Sequence, residues 1–441
     1  MKKENPRVPV ISPEGEPLMP TKASRARRWI KLQKARPFWN DLGIWCVQLL
    51  VEPSSIQTQD IVVGSDPGKR YSGIAVQSAK YTLLMSHLVL MGFIPKQGTA
   101  IAGVKEKMSY RSMLRRGRRG RRINRNKAFR VRNHRQKRFS NRKKSKLAPS
   151  IRSNRQLEIR VISELARIYP IAVIRVEKVR ADVDKTSGRK SAKSGKGFSP
   201  VMVGQAWMIE QLSKIAPVVT IEGWQKDGNG TSQVREHLKL VKNKTNKALQ
   251  APETHAVDAI ALASGHFVQY KPFNTANTRG CIWAGEVSIT PAVFKVISKP
   301  RITRRRLHDA VPAKDGIRER YGGSTTPFVA RKGDLIEYST KSKGEIKKVI
   351  GYCSGYTGKN LSLSDANWSR IGRFAASKCQ ILARNTGLVI LGGLTQSTQL
   401  PSLHGGRTLT PTQLPVRLTL REASYPPTTN PIGYGRSTPE V

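Results

Sequence analysis

Between Glu106 and Glu158 the chain carries no acidic residue, while 21 positions are Lys or Arg. No compact core can contain such a stretch, because unpaired charges are not buried. From Arg111 to Lys146 arginines outnumber lysines 13 to 5, and no proline occurs from Lys96 to Ala148. The segment is therefore free to form one long helix. Its apolar positions, Met113, Leu114, Ile123, Phe129, Val131 and Phe139, are too sparse for a core-facing stripe. Solvated helix faces and disordered arms are the ordinary homes of charge runs, yet solvated faces mix both signs and this one does not. The forked guanidinium suits phosphate, so a helix laid along a nucleic-acid backbone is the expectation. The whole chain agrees: its net charge of +50 would self-repel in a compact monomer without a polyanion.

What flanks the basic segment is foldable. The 441 residues are 38% hydrophobic, enough for several domains with real cores. The longest apolar run, "YTLLMSHLVLMGFI", is too short for a membrane span and contains His87, and "MKKENPRVPV" is no secretory signal. Cys46, Cys281, Cys353 and Cys379 lie far apart with no C-x-x-C, which argues against zinc or a disulfide framework and suits a reducing cytosol. In the N-terminal part, "RVPVIS" reads as a strand, "GEPLM" as a turn region, "TKASRARRWIKLQKA" as a helix started by Thr21, and "IWCVQLLVE" as a strand. Three strand signals follow, Ile61 to Ser65, Ser72 to Gln77 and Tyr81 to Met91, predicting an antiparallel meander. Beyond the basic segment come a helix around Leu157, Val161, Ile162 and Leu165, the strand "IAVIRVEKV", a helix "VMVGQAWMIEQLSKIA", the strand "VVTIEGW" and a helix "PETHAVDAIALASGHFV". The order β-β-β-α-β-α-β-α is that of an α/β ribonuclease H fold. From about Tyr270 short strands with Gly-containing turns predict a small β-rich domain of barrel type, and the last forty or so residues, rich in Pro, Thr and Ser, read as disordered or loosely attached.

The hairpin "IVVGSDPGKRYSGIAV" invites a phosphate-loop reading, but its Gly-to-Gly spacing is one residue short, Arg70 replaces the hydroxyl, and a strand follows where a helix is needed. Asp66 at its tip has a different logic. Asp66 ends the first core strand, Glu177 ends the fourth, and "THAVDA" opens the last helix with His255 and Asp258 three residues apart, on one helix face. Taken singly, Asp66 is an ordinary turn residue, Glu177 a strand-end charge beside Lys178, Asp258 a surface acid and His255 a polar helix start; Glu253 reads as helix N-terminal charge. Taken together they converge if the strands lie side by side. Three carboxylates in so basic a chain are costly unless they hold divalent metal, and two Mg2+ ions, with Mn2+ as a substitute, would clamp both oxygens of an in-line phosphodiester displacement. His255 then serves as base or as ligand.

At these residues the chain resembles the RuvC-type nuclease core as it is split in RNA-guided effectors. The first motif is "GSDPGKRYSGIAV", the second "IRVEKV" and the third "THAVDAIALA". The basic segment resembles the bridge helix of type II CRISPR nucleases, and Pro17, Leu18, Met19 and Pro20 resemble the signature of the PLMP domain. That combination is similar to the IscB and IsrB families. The interval from Lys178 to Thr254 holds a single histidine, His237, leaving no room for the HNH domain of IscB, so the resemblance is to IsrB; TnpB relatives are disfavoured by the missing zinc cysteines.

The resemblance implies a division into a PLMP domain (1–57), RuvC core (58–105 and 151–270), bridge helix (106–150), a β-rich domain reading a target-adjacent motif (271–400) and a tail (401–441). It implies a prokaryotic, cytosolic nickase bound one-to-one to a guide RNA, the omega RNA, that pairs with one strand of double-stranded DNA while the RuvC site cuts the other. Arg111, Arg115, Arg116, Arg118, Arg119, Arg121, Arg122, Arg125, Arg130, Arg132, Arg135 and Arg138 are the expected nucleic-acid contacts. Two rivals are a guide-independent, junction-resolving nuclease and a cleavage-silent RNA- or DNA-binding protein. The basic insertion disfavours the first, and the complete acid set the second.

Overall fold

The computed structural model describes residues 6–90, 113, 126–131, 147, 149–179, 200–299, 326–391 and 397–398, apart from 226, 229, 247, 248, 276, 277, 343, 344, 367 and 368. A small N-terminal sheet is built from β1 (Val8–Ile11), β2 (Pro17–Thr21), β3 (Ala35–Trp39) and β4 (Trp45–Leu49), in the order β2-β1-β4-β3. Helix α1 (Ala23–Lys31) packs Ala26 against Val8, Val10, Leu18, Val47 and Leu49. Pro17, Leu18 and Met19 of the expected turn region are thus strand, and Pro20 continues it. Its two prolines are tolerated because β2 is an edge, with one side free of ladder bonds. Thr21 belongs to that strand and pairs with Val8, so it does not cap α1, which starts after Lys22 with no side-chain cap.

The central sheet begins with β5 (Ile61–Asp66), β6 (Tyr71–Ser78) and β7 (Thr82–Val89), an antiparallel meander. Helix α2 (Pro149–Ala166) leads to β8 (Ile171–Glu177), and α3 (Pro200–Leu212) leads to β9 (Val218–Ile221), both strands parallel to β5. The resulting order β7-β6-β5-β8-β9, strands 3-2-1-4-5 with the second reversed, is that of the ribonuclease H fold. These strands read as near-continuous apolar runs because both faces are covered. On one face Ile61, Val63, Ile74 and Val76 pack against Leu157, Val161, Ile162 and Leu165 of α2 and Met208 and Leu212 of α3. On the other lie α4 (Thr231–His237) and α5 (Val257–Ser264), with Ala256, Ala259 and Ile260 against Ala75 and Met85. Helix α5 rests directly on β5, since a Cβ at Gly64 would stand 1.9 Å from the Ala259 carbonyl oxygen.

The core does not end near residue 270. After a hairpin of β10 (Val268–Asn274) and β11 (Arg279–Gly285), strand β12 (Ala292–Ser298) pairs in parallel with β7. This satisfies an edge that the fully buried β7 would otherwise leave open. Gln77 Nε2 donates to the Ser288 carbonyl at 2.9 Å, and Thr82 N to Thr290 Oγ1 at 3.1 Å, tying the approach to β12 onto the meander. A separate sheet of β13 (Leu335–Ser342), β14 (Glu345–Thr357), β15 (Asn360–Ser364), β16 (Arg370–Ala375) and β17 (Cys379–Ala383) has the order β16-β15-β14-β13-β17. Its end strands are not paired with each other, so it is an open sheet and no barrel; Ile336, Cys353, Leu361 and Leu363 form its core. The chain then returns as β18 (Val389–Leu391) and β19 (Ser397–Thr398), both pairing with β12. The expected boundary at 270 is therefore wrong for residues 292–298, 389–391 and 397–398, which belong to the central sheet.

Most of the basic segment, and the 401–441 tail, lie outside the described residues. Within 126–131 the expected unbroken helix is not found: Asn126 has φ +63°, and Phe129–Val131 form a single 3-10 turn. Asparagine is among the few residues that adopt this left-handed conformation readily. Among the described residues no helix is long and apolar enough to cross a membrane.

Candidate active site

Strands β5 and β8 run in parallel with Ser65 opposite Val176, so the next residues, Asp66 and Glu177, emerge side by side at the carboxyl end of the sheet. Ligands of open α/β sheets bind outside that end. The third acid, Asp258, sits in the first turn of α5, which the close approach at Gly64 holds over β5.

His255 is not on the same helix face as Asp258, contrary to the i, i+3 expectation. The residues Pro252–Ala256 form a wide π-type turn in which Thr254 has φ −96° and ψ −108°, and α5 begins only at Val257. Gly73 makes the turn possible, because a Cβ there would lie 1.9 Å from the His255 carbonyl oxygen. The turn aims the ring at β5, with His255 Nδ1 3.2 Å from Asp66 Oδ2. A carboxylate can only accept, so Nδ1 carries a proton, and in the neutral ring Nε2 then presents the lone pair. That Nε2 is buried and has no hydrogen-bond partner among the described residues.

Behind His255 stands His87 on β7, fully buried, its ring 5.6 Å from that of His255 and 5.0 Å from that of Tyr71. The Thr254 hydroxyl has one proton and lies 2.8 Å from the Ala251 carbonyl, so His87 Nδ1, 3.1 Å away, donates to Thr254 Oγ1. Burial, helped by His255, pushes His87 down to about 3, which keeps it a neutral strut for the turn.

The acids feel one another. Burial first, then the charges of Asp66 and Asp258, push Glu177 up to about 8, although Thr231 Oγ1 donates to its Oε2 at 3.0 Å. Asp258 is likewise raised by burial and by Asp66, while Lys242 and Arg235 act against the rise. Arg235 Nη1 is 2.6 Å from Asp258 Oδ1, and Lys242 Nζ contacts Oδ2.

Beneath the Asp66 turn lies a second ionic set. Ser72 Oγ donates to Glu158 Oε1 at 2.5 Å, Arg155 Nη1 is 2.9 Å from Glu158 Oε2, and Arg155 Nη2 donates to the Gly68 carbonyl at 2.8 Å. Gly68 N donates back to Ser72 Oγ at 3.1 Å, so the turn after Asp66 is clamped from within. Burial raises Glu158 to about 7 against the pull of Arg155 and Ser72.

The structure thus brings Asp66, Glu177, His255 and Asp258 to one end of the sheet. Of the twelve arginines expected to touch nucleic acid, only Arg130 is among the described residues, exposed in its 3-10 turn; Arg111, Arg115, Arg116, Arg118, Arg119, Arg121, Arg122, Arg125, Arg132, Arg135 and Arg138 lie outside them. Sequence reasoning missed His87, Glu158, Arg235 and Lys242. A histidine inside the apolar run of β7 was a usable signal for the first. The other three depend on long-range pairing that no local pattern reveals.

Three carboxylates with an imidazole are a donor set suited to a hard divalent cation. The raising of Glu177 by burial, Asp66 and Asp258, that of Asp258 by burial and Asp66, and the His255 Nε2 left without a partner among the described residues fit such an occupant. Among the described residues no three His, Cys, Asp or Glu side chains stand close enough to hold one ion as they are placed, and both Asp258 oxygens are taken by protein cations.

A family model described as RRXRR protein matches residues 8–197, somewhat less than half of the chain. No curated protein matches. Among solved structures, RuvC of T. thermophilus in complex with a Holliday junction substrate is similar at 13% identity, covering 47% of this chain and 92% of that one, with a TM-score of 0.23. The yeast mitochondrial Holliday junction resolvase Ydc2 is similar at 13% identity, covering 48% and 79%, with a TM-score of 0.23. A CRISPR-Cas12f ternary complex is similar at 15% identity, covering 55% and 49%, with a TM-score of 0.23. Scores this low add nothing to the fold assignment, which rests on strand order and register.

Proposed function

We propose that this protein is an RNA-guided DNA nickase of the IsrB type, with a single metal-dependent RuvC-like centre. The observation that carries the reading is the convergence of Asp66, Glu177 and Asp258 at the carboxyl end of a ribonuclease H-type sheet, with His255 on Asp66, in a chain of net charge +50. Asp66, Glu177 and Asp258 would hold Mg2+, which when bound supplies Lewis-acid stabilisation of charge on the scissile phosphate. The remaining chemistry belongs to the side chains. His255, kept by Asp66 in the Nδ1–H form, offers Nε2 to take a proton from the attacking water, and the imidazolium so formed is stabilised by the Asp66 carboxylate. His87 holds the turn that aims the ring, and the Glu158–Arg155–Ser72 set holds the turn that carries Asp66. The basic segment binds guide RNA, which leaves sequence reading to base pairing. Between Lys178 and Thr254 the described residues are occupied by α3, β9 and α4, consistent with one nuclease centre and one cut strand.

The test is a supercoiled plasmid bearing a guide-matched site, incubated with protein purified with or without its co-expressed RNA. Open circles in Mg2+, none in EDTA and none without RNA are expected. Asp66→Ala should abolish nicking and leave RNA and target binding nearly intact, since binding is carried by Lys and Arg elsewhere. Nicking without RNA would identify a guide-independent nuclease, linear product a second centre, and binding without cutting by the intact protein a silent binder.

A further inference from the structure

The stretch from Thr231 to Lys242 grips two of the three site acids. Thr231, the first residue of α4, holds Glu177, and one turn later Arg235 holds Asp258 Oδ1. Helix α4 is itself anchored, with Val234 packed against Ala261 of α5. Arg235 therefore reaches Asp258 from a fixed platform. Lys242 does not. It follows Lys239, which has φ +52°, and lies outside any helix or strand, next to Asn243, whose N–H donates to the Glu253 carbonyl at 2.7 Å. Its ammonium reaches Asp258 Oδ2 on a four-carbon stem that stays 20% exposed, whereas Asp258 is only 5% exposed.

We propose that Lys242 is the resident counter-cation of the site: it neutralises Asp258 while no divalent cation is bound and is displaced when one is. This rests on the reading of Asp66, Glu177 and Asp258 as metal ligands. Three carboxylates brought to one end of the sheet repel each other unless a cation stands among them, and Asp258 has Lys242 and Arg235 on its two oxygens. Lys242 relieves that repulsion at Asp258. A divalent cation and an ammonium on the same carboxylate oxygen repel one another, so loading the site must free the lysine. Arg235, on the opposite oxygen and on a packed helix, keeps Asp258 oriented throughout. Lys242 and the divalent cation are thus competitors for one oxygen.

Full-length protein is melted in EDTA and across a Mg2+ titration, as wild type, Lys242→Gln, Lys242→Met and Lys242→Arg, with Asp66→Asn as the control. A buried hydrogen bond between charged groups corresponds to about tenfold in a binding constant. Lys242→Gln and Lys242→Met should melt lower than wild type in EDTA, reach half of their Mg2+-induced shift at about tenfold lower Mg2+, and share the wild-type plateau. Lys242→Arg should stay near wild type. A requirement for equal or more Mg2+ in both neutral variants would overturn the proposal, because it would make Lys242 a bystander or a support for the loaded site. If wild type shows no Mg2+ shift, or keeps its shift in Asp66→Asn, the metal-site reading itself fails and takes the counter-cation with it; a shift lost in Asp66→Asn but unchanged in Lys242→Gln sinks the counter-cation alone.

Discussion

Replacing Glu177 with Gln should make the metal-free protein more resistant to rising pH, not less. In the folded protein Glu177 titrates at about 8, whereas in the unfolded chain it returns to the ordinary 4.5. Between those values the folded state binds more protons than the unfolded state, so stability falls as pH rises and the loss is complete above the folded value. At about 1.4 kcal/mol per pH unit between 4.5 and about 8, the loss is at most on the order of 5 kcal/mol. A glutamine cannot ionise and removes that component, leaving the same-signed contributions of Asp258 and Glu158. The measurement is urea denaturation from pH 5 to 9 in EDTA, comparing the pH slopes of wild type and Glu177→Gln. The same equilibrium predicts proton release on metal binding, since a ligating carboxylate must be ionised. At pH 7 a group titrating at about 8 is about nine-tenths protonated, so calorimetry in buffers of different ionisation enthalpy should show close to one proton released per site from Glu177. Equal pH slopes for the two proteins, or Mg2+ uptake at pH 7 without proton release, would refute the reasoning.

Gly73→Ala places a Cβ 1.9 Å from the His255 carbonyl oxygen, where ordinary contact begins near 3.4 Å, so the turn must retreat by roughly 1.5 Å. Nicking should fall by about 100-fold while RNA binding, measured by filter retention, changes little. Replacing Arg115, Arg116, Arg118 and Arg119 with Ala should weaken RNA binding and flatten its dependence on log salt, read from titrations at several ionic strengths; an unchanged slope would make the segment a solvated arm.

The core strands were legible because they are buried on both faces. Ile61–Asp66 and Ile171–Glu177 announce themselves as apolar runs, and a carboxylate at the end of each is conspicuous. Order along the chain then fixed the sheet. What stayed hidden depends on contacts between distant residues. Pro17 and Pro20 look like a turn until β2 is known to be an edge. His255 leaves the helix only because Gly73 admits its carbonyl and His87 holds Thr254, neither of which is near it in sequence. The apolar run Ala292–Ser298 looks like part of a new domain until β7 is seen to need a partner. Lys242 and Arg235 are two cations among 79, and nothing local marks them as the ones that meet Asp258.

The pairing of β12 with β18, Ser298 opposite Val389 and Val296 opposite Leu391, gives the five-stranded unit between them an unusual status. It is not appended to the chain's end but spliced into the connection of a hairpin, entering and leaving through strands about 4.8 Å apart. A module with adjoining doorposts is a cassette. The entropy of closing such an excursion grows only with the logarithm of its length, so units of very different size can occupy the same slot while the host register stays fixed. Evolution could therefore exchange this unit without retuning the central sheet to which both doorposts belong.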